Sequence, residues 1–464
     1  MSTADASYIN VLKGSFSEQS ISLQGTEQFD KLNKTYLSLL QIELTPAVIV
    51  LPHSSSDGCK FVKLIRPYVL KGETHFAIRG ADLRNLTGIE IEDDAVSIGA
   101  GERWGKVYEE VTKRGLGVTG SRSALGGIGG LALAGGLSFF SSREGFICDN
   151  VVDYEVVQAD GSLVHANSKD NPELFRAFRG GGNNFGVVTR YKVRTFKQGP
   201  FWGGAVFYFP DSFPGQIQAY CDELHRPNAT EETHIMISQG FSHVFAELGS
   251  RFCMNQLYYT GEVHKPQVLE RFNVQPQIDA MNSTRMMSLQ EAAEEQVKQS
   301  SDGVRCAYMN TTVKADAATL VAATAIFNAA YQPLKDLEGV TSAFTLQAYT
   351  VSLLKRCENN SLGLNAIEGP LMSNLVLNWW KNQEDDDLVI STFRKALNDI
   401  DADVTSRGTD VPYKYMNYAY SFQDPIGSYV KENREFLLKT SLKYDPQGLF
   451  QKGCLGGFKL GGIS

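Results

Sequence analysis

The chain has no CxxC pair, and its seven cysteines, Cys59, Cys148, Cys221, Cys253, Cys306, Cys357 and Cys454, are odd in number and widely spaced. Zinc-ribbon and thioredoxin-type centres are therefore unsupported. Scattered thiols suit a reducing compartment, each acting as a small buried hydrophobe. No uninterrupted apolar run is long enough to span a bilayer, and residues 1–17 lack the apolar centre of a secretory signal. The chain thus reads as cytoplasmic and free of membrane. Sequons such as Asn228-Ala229-Thr230 carry no meaning without secretion. No dense Lys/Arg stretch occurs, and the formal net charge of -8 repels a phosphate backbone, so a nucleic-acid partner is excluded. GxxxxGK[ST], HExxH and GxSxG are all missing, which sets aside P-loop, zincin and hydrolase chemistry. The seven histidines are dispersed and suggest no metal; His75 reads as a hydrogen-bonded core residue on an apolar strand, and His165 as part of a solvated one.

What is present is glycine, aromatic and aliphatic side chain. With 464 residues, 42% of them apolar, the chain is long enough for two cores. Between residues 46 and 195, short β-type runs (47–51, 75–79, 95–98, 151–157, 187–193) alternate with glycines and helical patches. Trp104, Val107, Tyr108 and Val111 recur at helical spacing, and Gly115 ends that helix. From about 201 to 404, longer alternating strands (205–209, 234–237, 256–259, 344–349) are separated by helices at 315–331 and 388–400. That pattern predicts an antiparallel sheet covered on one face, so the fold class is α+β. The run Glu384-Asp385-Asp386-Asp387 caps the helix after it through the helix dipole, and a last helix is expected over 427–442.

Three glycine clusters lie in the first stretch. Gly99, Gly101 and Gly105 follow a strand, but the spacing is GxGxxxG and no acidic residue lies between Glu110 and Glu144. A nicotinamide-binding βαβ unit is set aside on that ground. The second cluster runs Gly120-Ser121-Arg122-Ser123-Ala124-Leu125-Gly126-Gly127-Ile128-Gly129-Gly130, then Gly135-Gly136, with Arg122 its one cation. Glycine lets backbone N–H groups approach and point at an anion, because no Cβ intervenes. Glycine count alone leaves that reading level with a tightly packed turn between layers. The third cluster, Arg179-Gly180-Gly181-Gly182-Asn183-Asn184-Phe185-Gly186, enters a β-branched strand.

Taken in order, these segments resemble one family: the PCMH-type FAD-binding oxidoreductases of the berberine-bridge-enzyme-like and vanillyl-alcohol-oxidase group. The resemblance is carried by 76–80 (FAIRG), 99–104 (GAGERW), 126–130 (GGIGG), 148–152 (CDNVV), 178–189, 415–418 (YMNY) and 443–450 (KYDPQGLF). It implies a PCMH-type FAD-binding domain of two α/β subdomains over 46–198 and a substrate domain over 199–405, its antiparallel sheet covered by helices. Residues 1–45 then form an N-terminal extension, and 406–464 return to the FAD domain. It places Arg79, Gly80, Gly120, Ser123, Gly126, Gly127, Gly129 and Gly130 around the pyrophosphate. Asn150 and Val188 fall near the adenosine half, and Asn417 and Tyr418 near the flavin ring. Tyr415 and Tyr418 are the candidate catalytic groups; Tyr308 and Tyr349 read as sheet packing.

The chain departs from the family where Gly80 joins Ala81-Asp82 directly, without the further glycines and the histidine that carries flavin covalently. Ser123 stands where some members use a cysteine, and Leu131 where some carry a histidine. FAD is therefore expected to bind non-covalently. Each charged hydrogen bond lost with the loop costs on the order of 1.5–3 kcal/mol. The expected activity is oxidation of a small organic, ring-bearing substrate, such as a secondary-metabolite intermediate, by hydride transfer to flavin with O2 as acceptor. The missing loop motivates an alternative: a flavin-free relative that binds a small molecule.

Overall fold

The computed structural model describes residues 7–35, 38–79, 82–298 and 303–461. Among these, two large sheets organise two hydrophobic cores. The first sheet has six strands centred on Val187–Lys197, whose alternating burial lets it pair with Ala95–Gly99, Val151–Val157 and Leu116–Val118. Ser55–Leu70 packs on this sheet; its N-terminus carries a capping box between Ser54 and Asp57. Trp104–Thr112 forms as the spacing predicts, with Trp104, Val107, Tyr108 and Val111 all buried. The same core takes in Leu12 and Phe16 from the N-terminal segment and Leu437, Phe450 and Cys454 from the C-terminal one. Ile21–Leu23 pairs with Val48–Val50, and Cys454–Leu455 runs parallel to Phe76–Ala77.

The second sheet is nine-stranded. Its centre runs Arg251–Tyr259, Thr233–Ser242, Thr341–Tyr349, Leu371–Trp380, Arg305–Lys314 in spatial order, every pair antiparallel. Ala317–Tyr331 and Asp386–Arg407 lie against one face, where Phe327 stacks on Phe344 and Phe393. The other face turns toward the first core through Tyr258 and Tyr349. Both faces being covered, Thr233–Ser242 is buried at every position.

Four details differ from the sequence reading. Two central strands, Arg305–Lys314 and Leu371–Trp380, were not anticipated. His75 is exposed, one residue before a two-residue strand, and is not a core histidine. The last helix begins at Lys431, because the Asp424 carboxylate accepts the Gly427 N–H at 2.8 Å and holds residues 424–427 in a turn. Cys59 and Cys306 are half-buried and the other five thiols buried; all seven are free. No helix among the described residues is long and apolar enough to cross a membrane.

Arg305, buried at 3% exposure, ties the N-terminal segment to the second domain. Its guanidinium donates to both oxygens of Glu43 (2.5 and 2.8 Å) and both of Asp386 (2.5 and 2.6 Å). The hydrogen bond from Arg305 holds the Glu43 carboxyl below its usual range. A depressed carboxylate contributes stability above its unfolded value and loses it as pH falls through the folded one. Arg305→Met should therefore cost about 2–3 kcal/mol at neutral pH, the lower end of a broken buried pair because Glu43 is partly solvated. Urea titrations at neutral and acid pH check this: the gap between wild type and variant should narrow toward acid.

Candidate functional site

The second glycine cluster follows Leu116–Val118 and passes over Trp104–Thr112. Its glycines divide by what a Cβ would meet. At Gly120 it would lie 2.3 Å from the Trp104 ring, and at Gly126 2.5 Å from Ser121 Oγ. Those two are glycine because side chains press on the backbone. At Gly127 and Gly130 it would meet nothing within 4 Å, and at Gly129 its nearest neighbour is Tyr191 Oη at 3.8 Å. The loop is thus closed at Gly120 and Gly126 and open on the glycine side at 127, 129 and 130, while Ile128 between them is buried. The chain then turns sharply through Gly135 and Gly136, both at positive φ, +98° and +85°; a Cβ on Gly136 would strike Ile147 at 2.7 Å.

The C-terminal turn Met416–Tyr418 is stitched between this loop and the second sheet. Asn417 Nδ2 donates to the carbonyls of Leu131 (3.2 Å) and Ala134 (3.1 Å) and to Tyr415 Oη (3.0 Å). Asn310, on the sheet, exchanges two bonds with the Tyr415 backbone: Nδ2 donates to its carbonyl at 3.0 Å and Oδ1 accepts its N–H at 2.8 Å. The Tyr415 ring packs edge-on against Tyr418 with centroids 4.8 Å apart.

Arg122 reaches from the loop to the sheet. Its Nη1 lies 2.6 Å from Met236 Sδ and 3.4 Å from His234 Nε2, and its Nη2 donates to Tyr418 Oη. Tyr418 Oη donates in turn to Gln347 Oε1 at 3.0 Å. Burial, then the Arg122 charge, holds the His234 imidazole well below its usual range, so that ring is neutral. Burial pushes the Tyr415, Tyr349 and Tyr308 phenols upward and keeps them protonated. Tyr418 is half-buried and is the phenol that takes the guanidinium.

Buried polar atoms without partners collect on the same sheet face. Gln347 Nε2, Ser373 Oγ and Thr312 Oγ1 are unpaired, and their residues lie in register across three adjacent strands. Unsatisfied buried donors imply a group that completes them. A backbone bare at 127, 129 and 130 on one side and open donors and hydroxyls on the other fit a ligand with an anionic end and a polar ring. A groove of about 360 Å³ lies elsewhere, lined by Arg66, Asp160 and Lys443 among others; it includes no residue of the glycine loop. Among the described residues no cluster could hold a metal ion.

The sequence-derived residues are distributed as follows. Asn417, Tyr415 and Tyr418 meet the glycine loop, and Gly127, Gly129 and Gly130 form its bare stretch. Ser123 is half-buried, its N–H donating to Ser121 Oγ at 3.1 Å. Arg79 reaches Asn33 Oδ1 (3.2 Å) and the Leu44 carbonyl (3.3 Å). Gly80 and the Gly80–Ala81 join lie outside the described residues. Val188 is buried opposite Val156 in the first sheet. The Asn150 amide is spent on Glu144 O (2.8 Å), Phe146 O (2.9 Å) and Arg194 (2.6 Å). Sequence reasoning missed His234, Met236, Gln347 and Asn310. Arg122, the lone cation of an apolar loop, is the signal that could have pointed to His234 and Met236.

An FAD binding domain model matches residues 46–167. An FAD-dependent monooxygenase of Cochliobolus heterostrophus is 34% identical, covering 89% of this chain and 85% of its own length. One of Fusarium proliferatum is 31% identical, with 96% and 90% covered. Among solved structures, 6-hydroxy-D-nicotine oxidase from Arthrobacter nicotinovorans superposes with a TM-score of 0.77 at 18% identity, covering 94% of this chain and 97% of that one. Berberine bridge enzyme in complex with (S)-reticuline gives 0.75 at 14% identity, covering 98% and 100%. The chain belongs to the FAD-linked oxidoreductases that carry this FAD binding domain, and its fold is the PCMH-type, berberine-bridge-enzyme-like one. Within that class it is similar over nearly its whole length to fungal FAD-dependent monooxygenases. These likenesses do not favour a flavin-free binding protein.

Asn417→Ala would leave two buried carbonyls unpaired, each costing about 1–3 kcal/mol. The variant should be less stable to urea by roughly 2 kcal/mol, with near-ultraviolet circular dichroism reporting loss of the Tyr415–Tyr418 packing first.

Proposed function

We propose that the chain oxidises a small, ring-bearing organic substrate at the junction of the glycine loop and the second sheet, with O2 as the electron acceptor. The observation that carries this is the relay from Arg122 through Tyr418 to Gln347, set on the sheet face opposite the bare backbone of 127, 129 and 130. FAD, when bound, supplies the hydride acceptor and the route for electrons to oxygen. The monooxygenase names of the relatives support oxygen as second substrate.

The backbone of Gly127, Gly129 and Gly130 would hold the pyrophosphate, with Gly120, Gly126 and Ser123 shaping the loop and Arg79 adding its positive charge. Asn150 and Val188 would support the adenosine half, and Asn417 with Tyr415 the ring. Attachment is non-covalent, since Ser123 offers a hydroxyl in place of a thiol and Leu131 no nucleophile at all. Tyr418 is the group that takes the substrate's proton. It does so as the phenolate, whose negative charge Arg122 stabilises by donating to its oxygen before the proton arrives, while Gln347 fixes its orientation. Tyr415, held protonated by burial, acts as packing and as a hydrogen-bond partner for Asn417.

Purified protein should be yellow, and acid precipitation should release all flavin to the supernatant; a yellow pellet would show a covalent bond. Tyr418→Phe should retain flavin yet lower kcat/KM by about 10²–10⁴-fold, the range of a lost general base. Stopped-flow bleaching of the flavin band by substrate, compared between the two proteins, measures it.

A further inference from the structure

The Arg122 guanidinium is the unusual charge of the molecule. Its contacts are an imidazole held neutral by burial, a thioether and a phenol. Among the described residues no carboxylate pairs with it, although Arg143, Arg194 and Arg305 each have acidic partners. Its field reaches Tyr108, Tyr220, Tyr258, Tyr349 and Tyr415. A half-buried cation surrounded by neutral groups is costly unless an anion joins it.

Beside it stands a second donor. Gln347 is 1% exposed, its Oε1 is spent on Tyr418, and its Nε2 has no acceptor. Gln347 is the register partner of Met236, the residue Arg122 touches, so both donors address one patch of sheet. Further along the same face two half-buried apolar patches flank the central strands, Phe207 with Met254 on one side and Tyr308, Leu377 and Trp379 on the other, the Tyr308 and Trp379 rings edge-on at 6.2 Å. A guanidinium with no carboxylate partner, an amide with no acceptor and apolar rings on the same face point to a complementary ligand: an aromatic ring bearing an ionised oxygen.

We propose that Arg122 and Gln347 form an anion-recognition site, and that the substrate is an aromatic acid presenting a carboxylate or a phenolate to them. This rests on the reading of the junction as a substrate site and narrows its substrate class. The charged oxygen lies between Arg122 Nη1 and Gln347 Nε2, which orients the ring toward Tyr418. A neutral analogue of the same shape forfeits the charge-assisted bonds to Arg122 and does not supply the counter-charge that the guanidinium lacks.

The test uses the purified full chain and isothermal titration with benzoate and its neutral isostere benzamide. Benzoate should bind at least about tenfold more tightly. Arg122→Gln should abolish the preference, benzoate then binding no more tightly than benzamide, and Gln347→Leu should reduce it several-fold. If Arg122→Gln does not fold, the wild-type pair and Gln347→Leu still decide. 4-Nitrophenol, whose colour reports its ionisation, separates the two oxygen acids: a yellow shift on binding at mildly acid pH assigns a phenolate, and benzoate binding without that shift assigns a carboxylate. Equal affinity for benzoate and benzamide, no binding of any of the three probes, or a preference that survives in Arg122→Gln overturns the proposal. Flavin content is read separately. A colourless protein that still prefers benzoate would remove the redox steps and leave the anion site, whereas a yellow protein without the preference would do the reverse.

Discussion

Gly127 and Gly130 present bare backbone to open space, while Gly120 and Gly126 on the same loop are pressed against Trp104 and Ser121. That contrast sets the geometry of the junction between the two cores. The closed half fixes the loop to the first domain, because no side chain fits over Trp104 and Tyr108 at Gly120. The bare half can be approached by a ligand with nothing to displace. An anionic group is then met by amide dipoles in place of lysines, consistent with a loop that contains a single cation. That cation points away, across to the second sheet, where its contacts are Met236, His234 and Tyr418.

Short polar ties join the two cores here, beside the packing of Tyr258 and Tyr349 on the first core. Asn417 fastens the C-terminal turn to the glycine segment, and Asn310 fastens the same turn to the sheet. Neutral amides suit both positions, because they hold backbone groups without adding a net charge. Among the described residues no carboxylate pairs with Arg122. The buried phenols around it, raised by desolvation, likewise supply hydroxyls without supplying a counter-charge.

Much of the architecture could be read from pattern. Trp104–Thr112 announced itself because four apolar residues recur on one helical face and Gly115 stops the chain at positive φ. The α+β class followed from alternating strands with helical insertions. Arg305–Lys314 and Leu371–Trp380 escaped because both faces of the sheet are covered and polar residues such as Asn310, Thr311, Thr312 and Asn374 are buried within them. Apolar alternation does not mark such strands. Glycine counting identified the loop but not which glycines are open, since that depends on Trp104, in a helix that precedes the loop. His234, Met236 and Gln347 were beyond reach for a related reason: they join Arg122 and Tyr418 only through strands distant in sequence.

Bare glycine backbone gripping the flavin diphosphate is the central claim, and the FAD affinity of Gly130→Ala measures it most directly. A Cβ at that position meets no protein atom within 4 Å, so the variant should fold with the wild-type melting temperature. If the backbone there faces the cofactor, the added methyl should weaken FAD binding by about tenfold or more, read by fluorescence titration of the apoprotein. An unchanged FAD affinity in a normally folded Gly130→Ala protein would contradict it.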